Sequence, residues 1–365
     1  MKRTLGLRNA TILGIALICF GLLFVACGGG GTTTTTPTDE IVNSICDSGL
    51  PSNSSNALDY AKAMEMCLTT SEPGAGQGVI SATLTLSSGS GVAAASSRAI
   101  RGTFGTNNAP LTGAAMVVLS TGAAAAPGQA SPAFAAFQPG SDTGTSSAAP
   151  ADWLAANGGA IPVAPGCPAA ASTTAVNPVM LTLRIRVPSN AHSFSISTRF
   201  FSADYPEYVC SPYNDNFVAL LDSTYAGANP NPTDKNLAKY VAPSSSIYPL
   251  GVNLAVGNTG LFTQCVNGST GCAAGATAGS TSSCTGTYAL AGTGMDTTDS
   301  TSCAASTPTG GGTEWIAIRG NVVPGEIITL RFALWDTGDS LSDSVVLLDN
   351  FAWSTSTVTP GASLH

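Results

Sequence analysis

Alternation of apolar and polar residues is the feature that most limits what this chain can fold into. It runs through Val79–Leu86, Met180–Val187, Ser193–Phe201 and Glu326–Trp335. Successive side chains of a strand point to opposite faces, so each segment would have one apolar and one polar face. Val345–Leu348 is apolar at every position, as in a central strand covered on both faces. The pattern predicts antiparallel β-structure.

Helical periodicity is found in one stretch, Asn56–Leu68, in which Tyr60, Met64 and Cys67 would share a face. The first residue of this stretch is a suitable N-cap. Turn-forming residues separate the predicted strands, and Pro188–Ala191 is interpreted as a hairpin turn. We therefore predict an all-β fold, a β-sandwich or jelly roll with one short N-terminal helix.

Two low-complexity insertions, Ala123–Ala160 and Gly268–Gly312, interrupt the strand pattern and are predicted to be long surface loops. Only 9% of the 365 residues are charged, but 44% are hydrophobic, which argues against charge-driven disorder. The 13 basic and 21 acidic residues give a net charge of −8. This balance disfavours nucleic acid as a partner, because phosphate binding needs Lys and Arg.

Residues 1–26 are predicted to be a secretory signal. Three basic residues fall among the first eight, and Thr11–Ala26 is an apolar run without charge. This run of about 16 residues is shorter than the ~20 residues that a membrane-spanning helix needs. A basic start followed by a short apolar run is typical of an export signal.

Cys27 follows Val25 and Ala26 in a sequence that resembles a bacterial lipobox, in which the cysteine is lipidated after the signal is removed. The alternative is an ordinary signal or anchor helix with an incidental cysteine. Gly28 stands where an Asp would retain a lipoprotein in the inner membrane, so we expect a lipoprotein of the outer membrane or cell surface in a bacterial envelope. The chain then divides into three predicted parts: a lipidated, flexible tether (27–45), a helical cap (46–76) and a sandwich domain (77–355).

Eight cysteines follow Cys27, and an even number in an exported chain indicates disulfides. Spacing alone leaves 105 possible connectivities. The simplest pairing joins neighbours along the chain: Cys46–Cys67, Cys167–Cys210, Cys265–Cys272 and Cys284–Cys303.

The sequence contains none of the common catalytic signatures, such as a Gly-x-Ser-x-Gly elbow or a His-Glu-x-x-His helix. The chain has two histidines, and one of them, His365, is its last residue. The other, His192, follows a predicted turn and is interpreted as an exposed turn residue. The sequence therefore predicts a protein that is not an enzyme.

Acidic residues are concentrated in two turn-rich segments, 204–215 and 336–349. Carboxylate and amide oxygens are the ligands that Ca²⁺ takes in proteins, six to eight at a time. These oxygens predict a Ca²⁺ site, although the same residues are also common as hydrogen-bonded turn residues. Paired carboxylates would also suit a glycoside hydrolase. The candidate ligands are Asp204, Glu207, Asn214, Asp215, Asp336, Asp339 and Asp343.

Several segments resemble the choice-of-anchor L domain, a secreted bacterial module. Gly102–Gly105 and Met116–Gly122 are similar to its early Gly-x-Phe and Val-Leu-Ser-Ser-Gly motifs. Arg186–Ala191 and Phe200–Phe217 are similar to its Val-Pro motif and to the acidic, tyrosine-rich stretch that follows. Arg331–Phe351 is similar to its Asp-rich close. The resemblance covers about residues 57–353.

One departure from the family affects the acidic segment. The family often has Ser-Glu-Glu-Tyr where this chain has Ala203 and Asp204 between Ser202 and Tyr205. One acid is therefore missing, which implies a weaker metal site. The resemblance implies a secreted, β-rich, surface-anchored domain with no established activity, and a lipidated Cys27 would be its anchor.

The sequence thus favours a non-enzymatic lipoprotein that displays a β-sandwich for binding, adhesion or envelope structure, with Ca²⁺ as the candidate stabilising ion. Its partners would be the membrane, through the lipid, and an extracellular protein or glycan. The alternatives are a secreted hydrolase that acts on glycans with paired carboxylates, and a purely structural envelope component without a small ligand.

Overall fold

The computed structural model describes residues 39–72, 76–277, 283–297, 303 and 308–365. The predicted signal, the predicted lipidation at Cys27 and the Gly/Thr stretch of the tether lie outside these residues. Among the described residues, no helix has both the length and the apolar character that a membrane span requires. The boundaries between tether, cap and sandwich stay predictions.

Strands dominate the described chain. The helices are α1 (Ala57–Lys62) and α2 (Ala151–Ala156), with three 3₁₀ turns at Ala95–Ser97, Val252–Ala255 and Tyr288–Leu290. The strands are β1 (Gly78–Thr85), β2 (Arg98–Arg101), β3 (Met116–Ser120), β4 (Ser146–Ala148), β5 (Thr174–Arg186), β6 (Ser193–Ser202), β7 (Asn216–Asp222), β8 (Lys239–Val241), β9 (Ile247–Pro249), β10 (Phe262–Gln264), β11 (Gly311–Thr313), β12 (Ile316–Asn321), β13 (Ile327–Thr337), β14 (Ser344–Ser354) and β15 (Gly361–Leu364).

Two antiparallel sheets form the body of the molecule. Sheet I has the order β1-β5-β13-β7, with β4 also paired to β5. Sheet II has the order β10-β11-β6-β14-β3-β2, with β12 paired to β6 and β15 paired to β12. The strands β8 and β9 form a separate pair. The predicted all-β, sandwich-like fold is therefore confirmed.

The main core lies between the two sheets and follows from the alternation in the sequence. In β5, Leu181, Leu183 and Ile185 are buried, whereas the intervening Thr182 and Arg184 are partly exposed. Apolar side chains of sheet II from β6 and β14 join the same cluster. Because one face of each sheet is apolar, packing the two faces together removes both from water.

The predicted hairpin at Pro188–Ala191 is wrong in its connectivity. The segment does turn, but β5 pairs with β1 and β13 whereas β6 pairs with β14 and β12, so the chain crosses here from sheet I to sheet II. Alternation defines the apolar face of each strand but does not say which strand is its neighbour. His192 is exposed beyond this turn, as predicted.

The N-terminal helix is shorter than the prediction of Asn56–Leu68. It begins as expected, because the Asn56 side chain accepts a hydrogen bond from the Leu58 N–H at 3.2 Å. It ends at Lys62, and Glu65 has a φ of 64°, which an α-helix cannot contain. The apolar stripe still packs inward, since Tyr60 is fully buried.

The two low-complexity insertions are not simply surface loops, which corrects the prediction. Within the first, Phe137 and Ala124 are buried in a second cluster on the outer face of sheet II, where Leu290 of the second insertion joins them. Also in the first, Trp153 of α2 packs edge-to-face on Trp335, with ring centroids 5.7 Å apart, outside sheet I. Apolar residues of these insertions thus cover strands that are apolar on both faces.

All eight cysteines after Cys27 are paired. The predicted disulfides Cys46–Cys67 and Cys167–Cys210 are confirmed. The other two predicted pairs are wrong, because the observed bonds are Cys265–Cys284 and Cys272–Cys303.

The physical reason for the different pairing lies in the backbone. The Cys265 N–H donates to the Gly286 carbonyl at 2.8 Å, and the Thr285 N–H donates to the Thr263 carbonyl at 2.7 Å. These hydrogen bonds align the segment of Cys265 with that of Cys284. Sequence separation carries no information about this alignment.

Candidate functional site

Four of the predicted acids meet at one end of the sandwich, where strands of both sheets end. Asp204 follows β6, Asp215 precedes β7, Asp336 lies near the end of β13, and Asp343 precedes β14. We call Asp204, Asp215, Asp336 and Asp343 the interior acid cluster. Their exposed fractions are 2%, 3%, 0% and 0%. Carboxylates are almost never this buried unless they are paired.

Local backbone features direct these side chains inward. The register between β13 and β5 shifts between Leu334 and Asp336, and such an irregularity re-aims the side chains that follow it. Asp343 lies against Gly122, where a Cβ atom would come within 2.0 Å of its Oδ2. Only glycine therefore fits opposite Asp343.

Three of the four acids accept hydrogen bonds from the protein. Asp204 Oδ2 accepts from the Asp215 N–H at 3.2 Å, and Asp343 Oδ2 accepts from the Ser141 N–H at 3.0 Å. Asp336 Oδ2 accepts from the Asn177 side-chain amide at 2.8 Å. These donors hold the side chains in place.

The remaining oxygens of this region have no donor of ordinary geometry. They are both carboxylate oxygens of Asp215, Oδ1 of Asp336 and the hydroxyl of Ser344. Asp215 lies beside both Asp336 and Ser344, close enough for each to change its pKa. Four unsatisfied oxygens on three neighbouring buried side chains are unusual, because most buried polar atoms find a partner.

Burial makes ionisation of these acids difficult. It raises the pKa of Asp336 to about 7 and the pKa of Asp343 to about 8. Burial also raises the pKa values of Asp204 and Asp215 well above the ordinary range, and the neighbouring carboxylates add to the shift. Such a cluster can either retain protons or exchange them for a cation.

Glu207 and Asp339 line an open cleft of about 460 Å³ outside the cluster. Asp339 is close enough to Asp204 for its charge to raise the pKa of Asp204 further. The remaining lining residues are Tyr208, Tyr213, Ala273, Ala274 and the disulfide-bonded Cys272 and Cys303. The cleft is thus acidic, is lined by two tyrosines and lies beside the buried acids.

Asn214 faces a different group of residues. Its side-chain oxygen accepts from the Asn253 amide at 2.5 Å, and its amide donates to the Tyr208 carbonyl. Asn253 Oδ1 in turn accepts from the Cys210 N–H at 2.6 Å. In this arrangement Asn214 braces the segment between β6 and β7, together with the disulfide at Cys210.

The sequence reasoning missed three polar residues of the site. Asn177 holds Asp336, and Thr121 Oγ1 accepts from the Ser344 N–H at 3.0 Å. Asn177 has a φ of 50°, a conformation that asparagine tolerates better than most residues. The only signal in the sequence was the place of Ser344 directly after Asp343.

The described part of the chain contains no group of three or more His, Cys, Asp or Glu side chains arranged to hold a metal ion. The oxygens without donors come from two carboxylates and one hydroxyl, so this finding agrees with the inventory above. A cation in the interior acid cluster would need hydroxyl or water ligands beside the two carboxylates.

A second group of acids lies further along β14. Asp349 and Asp47 are buried, and Glu65 lies close enough to both for their charges to raise its pKa. We call Asp47, Glu65 and Asp349 the N-terminal acid cluster. Glu65 and Asn350 line a cavity of about 590 Å³, together with apolar side chains.

The fold and its four disulfides define a disulfide-tied β-sandwich of the kind found in exported proteins. The family model of the Choice-of-anchor L domain matches residues 75–353, so the chain belongs to this family and is a cell-surface-associated protein. The resemblance seen in the sequence is thereby confirmed. No curated protein and no solved structure matches the chain.

Proposed function

We propose that this protein is a non-enzymatic lipoprotein of the bacterial outer membrane or cell surface that displays its sandwich on a lipidated tether. The observation that carries the proposal is the Choice-of-anchor L match over residues 75–353, which leaves the lipobox-like Cys27 and a Gly/Thr stretch in front of the domain. A lipid on Cys27 would supply the anchor, and the sandwich would be the displayed part.

The cleft at Glu207 and Asp339 is the surface that we propose for recognition of an extracellular protein or glycan. It is open, and it combines carboxylates with Tyr208 and Tyr213, whose rings lie edge-to-face with centroids 6.5 Å apart. Aromatic rings with a polar tip are favoured in binding surfaces, because they contribute both apolar area and a hydrogen bond. The Cys272–Cys303 disulfide lines the same cleft.

Calcium is part of this proposal as a structural ion. It would neutralise buried acids beside the cleft and hold the loops that form it. Nucleic acid is not a proposed partner, because the net charge is −8.

Membrane fractionation of cells that express the full chain tests the anchor. We expect Cys27→Ala to move the protein out of the membrane fraction. The matched control is Cys19→Ala, which makes the same change inside the predicted signal and should leave the protein in the membrane fraction. Retention of the Cys27→Ala protein in the membrane fraction would contradict the lipid anchor.

One observation favours hydrolysis of glycans as the second candidate function: two carboxylic acids, Glu207 and Asp339, line the same open cleft. Wild type, Glu207→Gln and Asp339→Asn would be incubated with envelope glycans, and released reducing ends would be measured. Release by wild type and its loss in both variants would support the hydrolase over the binding protein. We expect no release.

A further inference from the structure

Two carboxyl groups lie side by side in the interior, and several of their oxygens receive no hydrogen bond of ordinary geometry. Asp215 and Asp336 are neighbours, and their exposed fractions are 3% and 0%. Both oxygens of Asp215 and one oxygen of Asp336 lack a hydrogen-bond donor. The Ser344 hydroxyl is also fully buried and lies against Asp215, and it too has no hydrogen bond of ordinary geometry.

An arrangement of this kind is unstable if both acids are ionised and nothing neutralises them. A buried charge is tolerated only when it is paired, hydrogen-bonded or bound to a metal. None of the eight ion pairs in the described part of the chain involves Asp215 or Asp336. The compensating charge must therefore be a shared proton or a cation from solution.

We infer that the two acids bind Ca²⁺, with Asp215 Oδ1 and Oδ2, Asp336 Oδ1 and Ser344 Oγ as its protein ligands. All four atoms are hard oxygens, the donor type that Ca²⁺ takes. Two carboxylates balance the charge of a divalent ion. Water would complete the six to eight coordination positions of Ca²⁺. Because the protein ligands are irregularly arranged, they suit Ca²⁺ better than Mg²⁺, which demands near-octahedral geometry.

The other acids add negative charge around the ion when they are ionised. Asp204 and Asp343 already accept backbone hydrogen bonds, from Asp215 and Ser141 respectively, but their charges lie close to the proposed ligands. Glu207 and Asp339 extend the negative charge to the cleft. A field of one sign in a cleft raises the local concentration of the opposite ion.

The proposed ion would connect the two sheets. Asp215 precedes β7 and Asp336 lies in β13, both in sheet I, whereas Ser344 begins β14 of sheet II. Binding would thus fasten the end of the sandwich that forms the cleft. The proposed ligands rest on the calcium part of the proposed function and do not depend on the lipid anchor. Calorimetry tests the calcium site and membrane fractionation tests the anchor, so a failure of one is distinguishable from a failure of the other.

The test is calorimetry on the full-length chain, purified in detergent and stripped with EDTA. CaCl₂ is titrated into wild type, Asp215→Asn, Asp336→Asn and Asp142→Asn, and melting temperatures are measured in EDTA and in about 5 mM Ca²⁺ or Mg²⁺. That concentration exceeds the ~10⁻⁴–10⁻³ M dissociation constants of extracellular calcium modules. Asp142→Asn is the matched control, because Asp142 is exposed and lies next to Ser141, the residue that holds Asp343.

We expect one ion per chain, a higher melting temperature in Ca²⁺ than in Mg²⁺, and an affinity at least tenfold lower in Asp215→Asn and in Asp336→Asn. The Asp142→Asn control should bind like wild type. No binding by wild type would overturn the inference and leave a shared proton between the two acids. Wild-type affinity in both site variants, or an equal response to Mg²⁺, would overturn it as well.

Discussion

Two groups of acids lie near β14, and Asp215 of the interior acid cluster differs from Asp349 of the N-terminal acid cluster in its hydrogen bonds. In the N-terminal acid cluster, Asp349 accepts hydrogen bonds from the backbone N–H groups of Leu111, Thr112 and Asn350. In the interior acid cluster, Asp215 accepts no backbone N–H, and neither of its oxygens has a donor of ordinary geometry. Asp349 lies five residues beyond Ser344 in the same strand, which is about 17 Å at ~3.3 Å per residue.

This difference in hydrogen-bond donors distinguishes an acid that stabilises the fold, such as Asp349, from an acid that can bind an ion, such as Asp215. Asp47 also receives two backbone N–H groups, from Ala114 and Ala115, both at 2.6 Å. Oriented N–H dipoles hold a charge in place and leave it little need for an outside partner. One oxygen of Asp47 and one of Glu65 still lack a donor, but each acid has at least one. Burial alone therefore does not identify a binding site, whereas a buried carboxylate with both oxygens lacking a donor, as in Asp215, points to one.

The largest expected effect comes from removing the structural acid. Asp349→Ala should lower the free energy of unfolding by about 3 kcal/mol, because buried N–H groups that donate to a charged acceptor lose their partner. Chemical denaturation at pH 8, in EDTA and in Ca²⁺, measures it, and both conditions should give a similar loss. Asp215→Asn, by contrast, should lose no stability in EDTA. Equal losses of unfolding free energy in Asp349→Ala and Asp215→Asn would contradict this difference between the two acids.

A smaller effect is expected from pH. Burial and the charges of Asp349 and Asp47 raise the pKa of Glu65 to about 9. A raised carboxyl pKa gives stability that is present below the unfolded value of ~4.3 and is lost as pH rises through about 9. Glu65→Gln should remove this loss, so its advantage over wild type grows to about 1 kcal/mol, since solvent screens a partly exposed group.

Denaturation curves of both proteins between pH 5 and pH 9 measure the Glu65 effect, and the Asp142→Asn variant serves as the control. Since Glu65 is not among the proposed calcium ligands, Ca²⁺ should not change the difference. A Glu65→Gln curve parallel to that of wild type would show that the N-terminal acid cluster is not strained by its charges.

The smallest effect is expected at the cleft. Asp339→Asn keeps the acceptor for the Leu341 N–H but removes one charge near the proposed ion. Calcium affinity should fall about twofold to threefold at low salt and less at high salt, because a partly exposed charge is screened. Stability in EDTA should change by less than ~0.5 kcal/mol. A loss of affinity as large as that of Asp215→Asn would place Asp339 among the ligands.

The two acid-rich segments illustrate which parts of the candidate site can be predicted from the sequence. The concentration of acids in two turn-rich segments predicts that Asp204, Asp215, Asp336 and Asp343 belong to one site, and the fold does bring them together. Asn214 precedes Asp215 in the same segment, but its side chain bonds to Asn253 and to the Tyr208 carbonyl rather than to the acids. Glu207 and Asp339 line the cleft outside the buried group.

The sequence by itself determined the all-β class, the apolar face of each strand and the family, because these depend on local periodicity and on short motifs. Only the tertiary structure decided which strands are neighbours, how Cys265, Cys272, Cys284 and Cys303 pair, and which buried acid receives no N–H donor. Those outcomes depend on backbone segments far apart in the chain. Periodicity describes one strand at a time and carries no information about them.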